Sequence, residues 1–493
     1  MAEPTSSLPP EGEGGAQRRM GDVRTDSMSA PGAAIDRASP IRPSGTFPLR
    51  GKEPRPWKRA ALWLVVLAVF FYATYGFANW LASQRSDVGA VVFGWERHVP
   101  FVDWTIFPYW SINAFYGLSL FVCATQAELG THVRRLLTAQ VIAVSCFLLF
   151  PLRFTFAKPE TTGFAGFMFE SLGAFDKPFN QAPSLHIALT VILLEFYVRH
   201  ATPGWRWVLR LWFVSIGASV LTTYQHHFID IPTGALLGFF ALWLWPLERP
   251  SPLQAAALAT EPKRHRLAAI YGTGAGLCTV IAFGLGGAWL WLLWATVALG
   301  MVATFYAAIG ADGFQKGADG QLSLAARALM LPYLAGAWIN SRLWTRRQPA
   351  PDHVTDGVWI GRVPSTGEAA TEPNRAILDL SAELSGPRRV AAYRTCPTLD
   401  LVPLDATTLR RAADAIEDLR RNGPVLVTCA LGYGRSAAAV AAWLVRSGRA
   451  VDTAQALSLI RAARPRITLD TASLARTLGE TVAAAPLAAR GTP

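Results

Sequence analysis

The sequence predicts an α-helical polytopic membrane domain of about eight spans, followed by a soluble α/β domain. Apolar residues make up 51% of the 493 residues and charged residues only 16%, whereas soluble domains carry about a quarter charged residues. Runs long enough to cross about 30 Å of hydrocarbon follow one another up to Gly310. Beyond Val358, short β-rich runs alternate with amphipathic helical ones, which indicates a sheet covered by helices.

These changes in composition divide the chain into six segments. The first is rich in Gly, Pro, Ser and Ala and cannot bury enough apolar surface to fold, so we predict that it is disordered. In order, the segments are a disordered N-terminal part (1–56), a first membrane domain (57–250), two additional transmembrane helices (251–310), an interfacial linker (311–350), the α/β domain (351–484) and a flexible tail (485–493).

The basic residues between the apolar runs predict how the spans are oriented. Arg135, Arg206 and Lys263 represent three clusters of Lys and Arg in alternate loops, and the positive-inside rule places those loops in the cytosol. We therefore expect a multi-pass protein of a bacterial inner membrane, with the α/β domain in the cytosol. The predicted spans are 60–82, 106–125, 136–155, 184–199, 207–222, 230–246, 267–287 and 288–309. Residues 321–344 have an apolar core too short to span comfortably, so they predict an interfacial helix.

The net charge and the cysteines exclude several classes of protein. The net charge is +12, but the Lys and Arg residues lie mostly between apolar segments, which favours a lipid bilayer over nucleic acid as the partner. The five cysteines show neither paired nor metal-ligand spacing. We expect no disulfide framework, no metal site and no organic cofactor.

The segment Val425–Ser436 carries the strongest local motif. A β-rich run leads into Cys429, a glycine-bearing loop follows, and Arg435 opens a predicted helix. Backbone N–H groups of such a loop point inward and the helix N-terminus adds positive potential, so the loop is suited to bind an anion. The same field favours a thiolate nucleophile. The predicted phosphate-binding residues are Ala430, Leu431, Gly432, Tyr433, Gly434 and Arg435.

This motif resembles the CX5R sequence of the protein tyrosine phosphatase superfamily, in particular its dual-specificity branch, over about residues 351–483. The resemblance implies that Cys429 becomes a phosphocysteine, that Arg435 binds phosphate and that Ser436 eases release of the thiolate. It also implies a general acid, Asp400, with Asp405 as the alternative. The chain departs from the family by having Thr428 where a His is usual. A fold that binds phosphate without turnover is the competing interpretation.

A second set of polar residues lies at the ends of predicted spans. Ser184 and His186 fall in one motif, and His226 and Asp230 in another about forty residues later. Ionisable residues within membrane segments are costly, so they are candidates for function. His226 and Asp230 are four residues apart and share a helical face, where the carboxylate can orient the imidazole.

These motifs resemble the type 2 phosphatidic acid phosphatase superfamily over about residues 60–250, and especially its lipid phosphotransferase branch. The resemblance implies that His226 forms a phosphohistidine, that Asp230 orients it and that His186 protonates the leaving group, with Ser184 binding phosphate. The first motif of the family is missing, and Arg153 is its predicted substitute; the Arg expected before His226 is Val220.

Together the two resemblances imply a bifunctional phosphatase of phospholipid metabolism. It would hydrolyse phosphomonoesters by a phosphohistidine route in the membrane domain and a phosphocysteine route in the cytosol. Its partners would be the bilayer and a phospholipid or phosphoprotein substrate. Two alternatives remain open: a lipid headgroup phosphotransferase, and a catalytically weak sensor of a phosphorylated ligand.

Overall fold

The structure is a computed structural model that describes residues 55–175 and 177–479. The predicted disordered segment, except for residues 55 and 56, and the predicted tail at 485–493 lie outside the described residues.

The helical part begins at Trp57, and each of the eight predicted apolar segments coincides with a helix. An additional helix, which the sequence did not predict, lies between the third and fourth predicted spans. The helices are α1 (Trp57–Ser83), α2 (Ile106–Val122), α3 (Gln126–Leu149), α4 (Gly163–Phe175), α5 (Leu185–His200), α6 (Pro203–Thr222), α7 (Asp230–Leu244), α8 (Pro262–Leu285) and α9 (Leu292–Thr304).

Four helical segments of the described chain are long and apolar enough to cross a membrane. They are Trp57–Ser83, Gln126–Leu149, Pro262–Leu285 and Gly287–Ile309, the last including short turns on both sides of α9. Helix α5 has 16 residues and α7 has 15, which corresponds to about 22–24 Å and is short of the hydrocarbon thickness. Eight crossings therefore stay a prediction.

Helix α3 begins ten residues before the predicted span. Its first turn is capped by Thr125, whose hydroxyl accepts a hydrogen bond from the N–H of Glu128 at 3.2 Å. Arg135, expected in a cytosolic loop, lies inside the helix and is 2% exposed. Its guanidinium donates to Glu195 at 2.9 Å and to the carbonyl of Trp245 at 2.8 Å. Because these partners satisfy the buried charge, the helix extends past the arginine.

Helices α5 and α7 pack at the distance of backbone contact. A Cβ on Gly234 would lie 2.5 Å from the carbonyl oxygen of Ser184, and one on Gly238 would lie 2.8 Å from that of Ala188. Small residues four apart allow this approach between membrane helices. The contact places the N-terminal end of α7 beside Ser184.

Residues 321–344 form two helices, α10 (Leu324–Leu329) and α11 (Leu331–Trp344), instead of the single interfacial helix that we expected. Gln321, before α10, donates to the carbonyl of Gly386 at 2.8 Å, and Ser341 in α11 donates to that of Ala430 at 2.5 Å. Both acceptors belong to the α/β domain. The two helices are separated by Met330, which is fully buried, and both ends of the pair contact the α/β domain.

The strands of the α/β domain are β1 (Asp352–Thr355), β2 (Val358–Arg362), β3 (Ala376–Ser381), β4 (Tyr393–Thr398) and β5 (Val425–Cys429); its helices are α12 (Thr366–Ala370), α13 (Ala406–Arg420), α14 (Arg435–Arg446), α15 (Thr453–Ala463) and α16 (Thr471–Leu478). They form a five-stranded sheet of order β1-β2-β5-β3-β4, in which β1 is antiparallel to β2 and the other pairs are parallel. The sequence predicts strands at 358–360, 376–380 and 425–429 and helices at 408–421, 436–447 and 453–463, and each is present within two residues at both ends.

The central position of β5 in the sheet determines where Cys429 lies. Every residue of β5 is buried, because the strand is central and helices cover both faces of such a sheet. Cys429 is its last residue, at the edge where the carboxyl ends of the parallel strands meet. Loops after β3 and β4 reach the same edge, so their side chains can converge on the cysteine.

Candidate active sites

The loop between β5 and α14 surrounds the sulfur of Cys429. The thiol is 3% exposed. Its Sγ accepts a hydrogen bond from the N–H of Gly432 at 3.2 Å, and the hydroxyl of Ser436 lies 3.4 Å away. Helix α14 begins at Arg435, directly beyond the loop. The donors and the helix N-terminus together favour negative charge at the sulfur.

Gly432 is required by the conformation of this loop. Its φ is +77°, and a Cβ there would lie 2.4 Å from the carbonyl carbon of Gly361 in β2. A side chain would therefore clash with backbone that cannot move aside, in addition to the strain of a positive φ. The loop lies against β2 at this point, which fixes the position of the Gly432 N–H that donates to Cys429.

Arg435 is held by two carboxylates and a carbonyl. Its Nη1 and Nη2 donate to Glu383 at 3.0 and 2.5 Å, and Nη1 also donates to the carbonyl of Thr398 at 2.7 Å. Nη2 lies 3.0 Å from Asp400. Burial alone would lower the pKa of Arg435, but the charges of Glu383 and Asp400 more than offset burial and raise it well above its ordinary value. The guanidinium is therefore a permanent, oriented cation.

Glu383 was missed in the sequence analysis. It follows β3 by two residues and is 3% exposed. An acidic residue just beyond a buried parallel strand lies at the same edge of the sheet as Cys429, and this position could have indicated its role.

The two candidates for the general acid have different contacts. The carboxylate of Asp405 caps α13 by accepting hydrogen bonds from the N–H and hydroxyl of Thr408 at 2.8 and 2.9 Å. Burial would raise the pKa of Asp405, but these hydrogen bonds lower it, as expected for a helix cap. The side chain of Asp400 is 37% exposed, and its carboxylate lies 3.0 Å from Arg435. The assignment of Asp400 as the general acid stays a prediction.

Thr428, the residue directly before Cys429, forms a hydrogen bond to a neighbouring strand. The hydroxyl of Thr428, where the resembled family has a His, donates to the carbonyl of Leu378 in β3 at 3.4 Å. It thus joins two strands and makes no contact with the sulfur, which is supported by Gly432 and Ser436. Cys396 lies in the hydrophobic core, and burial raises the pKa of its thiol.

Arg464 fixes the far side of the loop. It is fully buried, donates to Asp352 at 2.6 Å and to the carbonyl of Leu431 at 3.3 Å. Its guanidinium also lies 4.7 Å from the ring centroid of Tyr433. Arg464 therefore links two residues of the loop, Leu431 and Tyr433, to Asp352 in β1.

The helical part contributes directly to this site. The hydroxyl of Tyr306, just after α9, donates to the carbonyl of Asp400 at 3.0 Å. Ser341 donates to the carbonyl of Ala430, directly after the nucleophile. A cleft of about 1050 Å³ opens over Cys429, and Lys263, Asn340 and Trp344 of the helical part line it together with residues of the α/β domain.

Solved structures that match this chain are phosphatase domains, each covering about a quarter of it. Human DUSP28 is 23% identical with a TM-score of 0.23, over 26% of this chain and 94% of that one. A mouse putative dual specificity phosphatase complexed with zinc tungstate is 26% identical with a TM-score of 0.23, over 26% of this chain and 89% of that one. A human tyrosine phosphatase-like serine/threonine/tyrosine-interacting protein is 18% identical with a TM-score of 0.24, over 27% and 95%.

No protein-family model matches the chain, and no curated protein matches it. Since the structural matches cover about a quarter of the chain, the resemblance of the helical part to the phosphatidic acid phosphatases stays a prediction.

The second candidate site lies where α7 begins. His226 Nδ1 is 2.9 Å from Asp230 Oδ2, and His226 Nε2 is 3.4 Å from the hydroxyl of Ser184. Asp230 and Ser184 are fully buried and His226 is 5% exposed. The carboxylate fixes the imidazole so that Nε2 is directed away from it, towards Ser184. Three of the predicted residues are therefore brought together.

His186 has a different environment from His226. Its ring stacks on that of Tyr109 with centroids 4.2 Å apart, and its buried Nε2 has no hydrogen-bond partner within the described residues. It lies in the first turn of α5, two residues after Ser184. An unpaired buried nitrogen next to this site is available to a ligand.

His227 is bound on both ring nitrogens and serves the structure. Its Nδ1 is 2.9 Å from Glu96, a buried acid missed in the sequence analysis, and its Nε2 accepts from the N–H of Thr155 at 3.2 Å. Since Nε2 accepts, Nδ1 carries the proton and donates it to Glu96. The assignment of His226 as the nucleophile stays a prediction.

Positive charge is missing from the contacts of this second site. In residues 55–175 and 177–479, the hydrogen bonds and ion pairs of Ser184, His226 and Asp230 involve no Lys or Arg. Arg153 is exposed, and its described hydrogen bond joins its backbone N–H to Gly89. Val220 is buried, and its carbonyl accepts from the N–H of His226 at 3.1 Å.

One end of α7 carries the second site, and the other end is linked to the α/β domain. Asp230 opens the helix, and Trp243 near its C-terminal end exchanges hydrogen bonds with Gly313 at 2.8 Å and Gln315 at 2.7 Å. The next residue, Lys316, contacts Asp379 in the α/β domain. Thirteen residues of helix correspond to about 20 Å.

Proposed function

We propose that this chain is a membrane-anchored phosphatase that hydrolyses phosphomonoesters through a phosphocysteine intermediate at Cys429. The observation that carries the proposal is the arrangement around the sulfur: a central-strand cysteine, a loop whose Gly432 N–H donates to the sulfur, and an oriented arginine six residues later. This arrangement suits an anionic, tetrahedral phosphoryl group and a thiolate nucleophile.

In the first step the Cys429 thiolate attacks phosphorus, the ester P–O bond breaks, and protonated Asp400 gives its proton to the leaving oxygen. Arg435 Nε is buried and has no partner in the described chain, so it is free to donate to a phosphoryl oxygen while Glu383 holds the other nitrogens. Water then attacks phosphorus, Asp400 takes its proton, and the S–P bond breaks. Ser436 donates to the departing thiolate, which lowers the barrier to release.

The test uses the full-length protein in detergent, with p-nitrophenyl phosphate and with phosphomonoester lipids in mixed micelles. Cys429→Ser should reduce phosphate release by at least about 10⁴-fold, because the nucleophile is lost. Cys396→Ser is the matched control and should retain activity, since that thiol lies in the core. Wild-type protein that binds vanadate but releases no phosphate would support the sensor interpretation instead.

We further propose that His226 is a second centre of phosphoryl transfer, which would make the protein bifunctional. The short contact between His226 and Asp230 and the nearby hydroxyl of Ser184 support this proposal. His226 would attack phosphorus through Nε2, and His186 would protonate the leaving group.

Among the described residues no Lys or Arg contacts Ser184, His226 or Asp230, which favours a substrate with one negative charge over one with two. A phosphodiester carries a single charge, so this observation supports the alternative of headgroup transfer between lipids beside hydrolysis of a phosphomonoester. The test is carried out in the Cys429→Ser background, with lipid substrates supplied with and without a lipid hydroxyl acceptor. Activity that requires the acceptor and disappears with His226→Asn indicates transfer, whereas release of phosphate to water indicates hydrolysis.

A further inference from the structure

The cleft above Cys429 has walls from both parts of the chain. Lys263 comes from the second residue of α8, Trp344 from the last residue of α11, and Arg466 from the segment after α15. Its volume of about 1050 Å³ is at the upper end of ordinary ligand sites, which hold whole small molecules. A phosphate group alone would leave most of it empty.

The charges of this cleft that are not already engaged are positive. Asp400 is paired with Arg435, and Asp470 caps α16 by accepting from the N–H of Ser473 at 3.1 Å. Lys263 and Arg466 are exposed and make no hydrogen bond or ion pair in the part of the chain that the structure describes. In addition to Arg435, the cleft therefore has two cations without a partner among the described residues, Lys263 and Arg466.

Lys263 lies in the first turn of α8, a helix that is long and apolar enough to span the bilayer. Its positive charge is therefore close to the predicted membrane surface. The next residue, Arg264, donates to the carbonyls of Tyr306 and Phe305 at 2.9 and 3.2 Å, which fixes the start of α8 against the end of α9. Basic residues at such positions lie at the level of the lipid headgroups.

Helix α11 has an exposed apolar surface that reaches the cleft at Trp344. The side chains of Trp338, Ile339, Leu343 and Trp344 are all more than half exposed. Exposed tryptophans beside apolar helices are typical of the boundary between water and hydrocarbon. A molecule anchored in the bilayer can therefore present its headgroup to the cleft without leaving the membrane.

We infer that the Cys429 site acts on a membrane lipid whose headgroup carries two separate anionic groups, a phosphomonoester and the phosphodiester that joins the headgroup to the lipid. This inference rests on the proposed phosphatase function. The monoester enters the loop of Cys429, and Lys263 and Arg466 bind the diester. Only the monoester P–O bond breaks: the sulfur takes the phosphoryl group, Asp400 protonates the headgroup oxygen, and water later releases inorganic phosphate. The diester is unchanged.

The experiment uses the full chain in proteoliposomes and three substrates. These are a phosphatidylinositol monophosphate, which has both groups, phosphatidic acid, which has only the monoester, and soluble p-nitrophenyl phosphate. Lys263→Gln and Arg466→Gln should each lower kcat/KM for the inositol lipid by about tenfold, the effect of losing one charge-assisted contact. The same variants should change the other two substrates by no more than about twofold, since the diester is absent.

Arg266→Gln is the matched control, because Arg266 is an exposed cation on α8 that does not line the cleft. It should leave all three activities unchanged. Equal losses on all three substrates with Lys263→Gln, or a wild-type preference for phosphatidic acid or a soluble phosphopeptide, would overturn the inference while leaving the phosphatase function intact. Wild-type protein without activity on p-nitrophenyl phosphate would instead overturn the proposed function itself.

Discussion

The two candidate sites differ in the charge that surrounds them. The cysteine site combines a backbone donor, a helix N-terminus and Arg435, whose charge is balanced by Glu383 and Asp400. The histidine site combines His226, Asp230 and Ser184, and no cation contacts these three among the described residues. Buried anions are stable only with compensating charge or donors. Under the proposed functions, the first site would therefore bind a dianion and the second a singly charged phosphoryl group.

The largest expected effect comes from substitution of Arg435, the cation that distinguishes the cysteine site from the histidine site. Arg435→Lys should lower kcat for p-nitrophenyl phosphate by about 10³-fold, because lysine cannot form the fork that binds both Glu383 and phosphate. Phosphate release from this soluble substrate is the measurement. Arg446→Lys, on the exposed face of the same helix, is the control and should have no effect. A loss of less than tenfold would show that the loop N–H groups suffice without the fork.

A smaller effect is expected from the carboxylate of the histidine site. Asp230→Asn keeps the shape of the side chain but no longer holds the imidazole in the required tautomer, so lipid turnover should fall by about 10²- to 10³-fold. Turnover is measured in the Cys429→Ser background with phosphorylated lipids in vesicles. Unchanged turnover would exclude His226 as the nucleophile, and the difference between the sites would then be one between an active site and a structural pair.

The two aspartates near the cysteine provide a matched pair. Asp400→Asn should lower kcat by about 10²-fold for alkyl phosphates, whose leaving oxygen needs a proton. The loss should be much smaller for p-nitrophenyl phosphate, because its leaving group departs as an anion. Asp405→Ala should leave kcat unchanged and lower the free energy of unfolding by about 1 kcal/mol through loss of the α13 cap. If the two phenotypes were exchanged, Asp405 would be the acid.

The smallest effect concerns the contact between the helical part and the loop of Cys429. Ser341→Ala leaves the buried carbonyl of Ala430 without its donor, at a cost of about 1 kcal/mol. We expect a fall in kcat at the cysteine site of about twofold to tenfold and no change at the histidine site. Ser447→Ala, in the same domain but away from the loop, is the control. Equal losses at both sites would point to general unfolding.

Much of the cysteine site could be predicted from the sequence, because its parts are contiguous. Strand, loop and helix follow one another from Val425 to Arg446, and the local pattern sets their geometry. Glu383 could not be assigned so easily, since it reaches Arg435 only through the order of strands in the sheet. The contacts of Tyr306 and Ser341 had no sequence signal, because they depend on how α9 and α11 pack against the α/β domain.

The helical part was predicted less completely. Apolar runs located helices in all eight segments, but not their ends, as the burial of Arg135 inside α3 shows. A hydropathy pattern ends a predicted span at a charged residue. In the structure, however, Glu195 and the carbonyl of Trp245 bind the guanidinium of Arg135, so this residue can lie inside the helix. The partnership of His226 and Asp230 followed from helical spacing, whereas Glu96 as the partner of His227 did not, because the two residues lie 131 positions apart.

Lys316 has a consequence for the order in which this chain is made. Its ammonium group is fully buried with Asp379 and also donates to the carbonyls of Ser381 and Leu384 at 2.7 Å. Asp379 is 63 positions later in the chain, so at ribosomal rates its synthesis follows that of Lys316 by about 3–13 seconds. During this interval the lysine has been made but its carboxylate partner has not. A chain that ends before β3 would therefore keep this ammonium group without the carboxylate that compensates its burial.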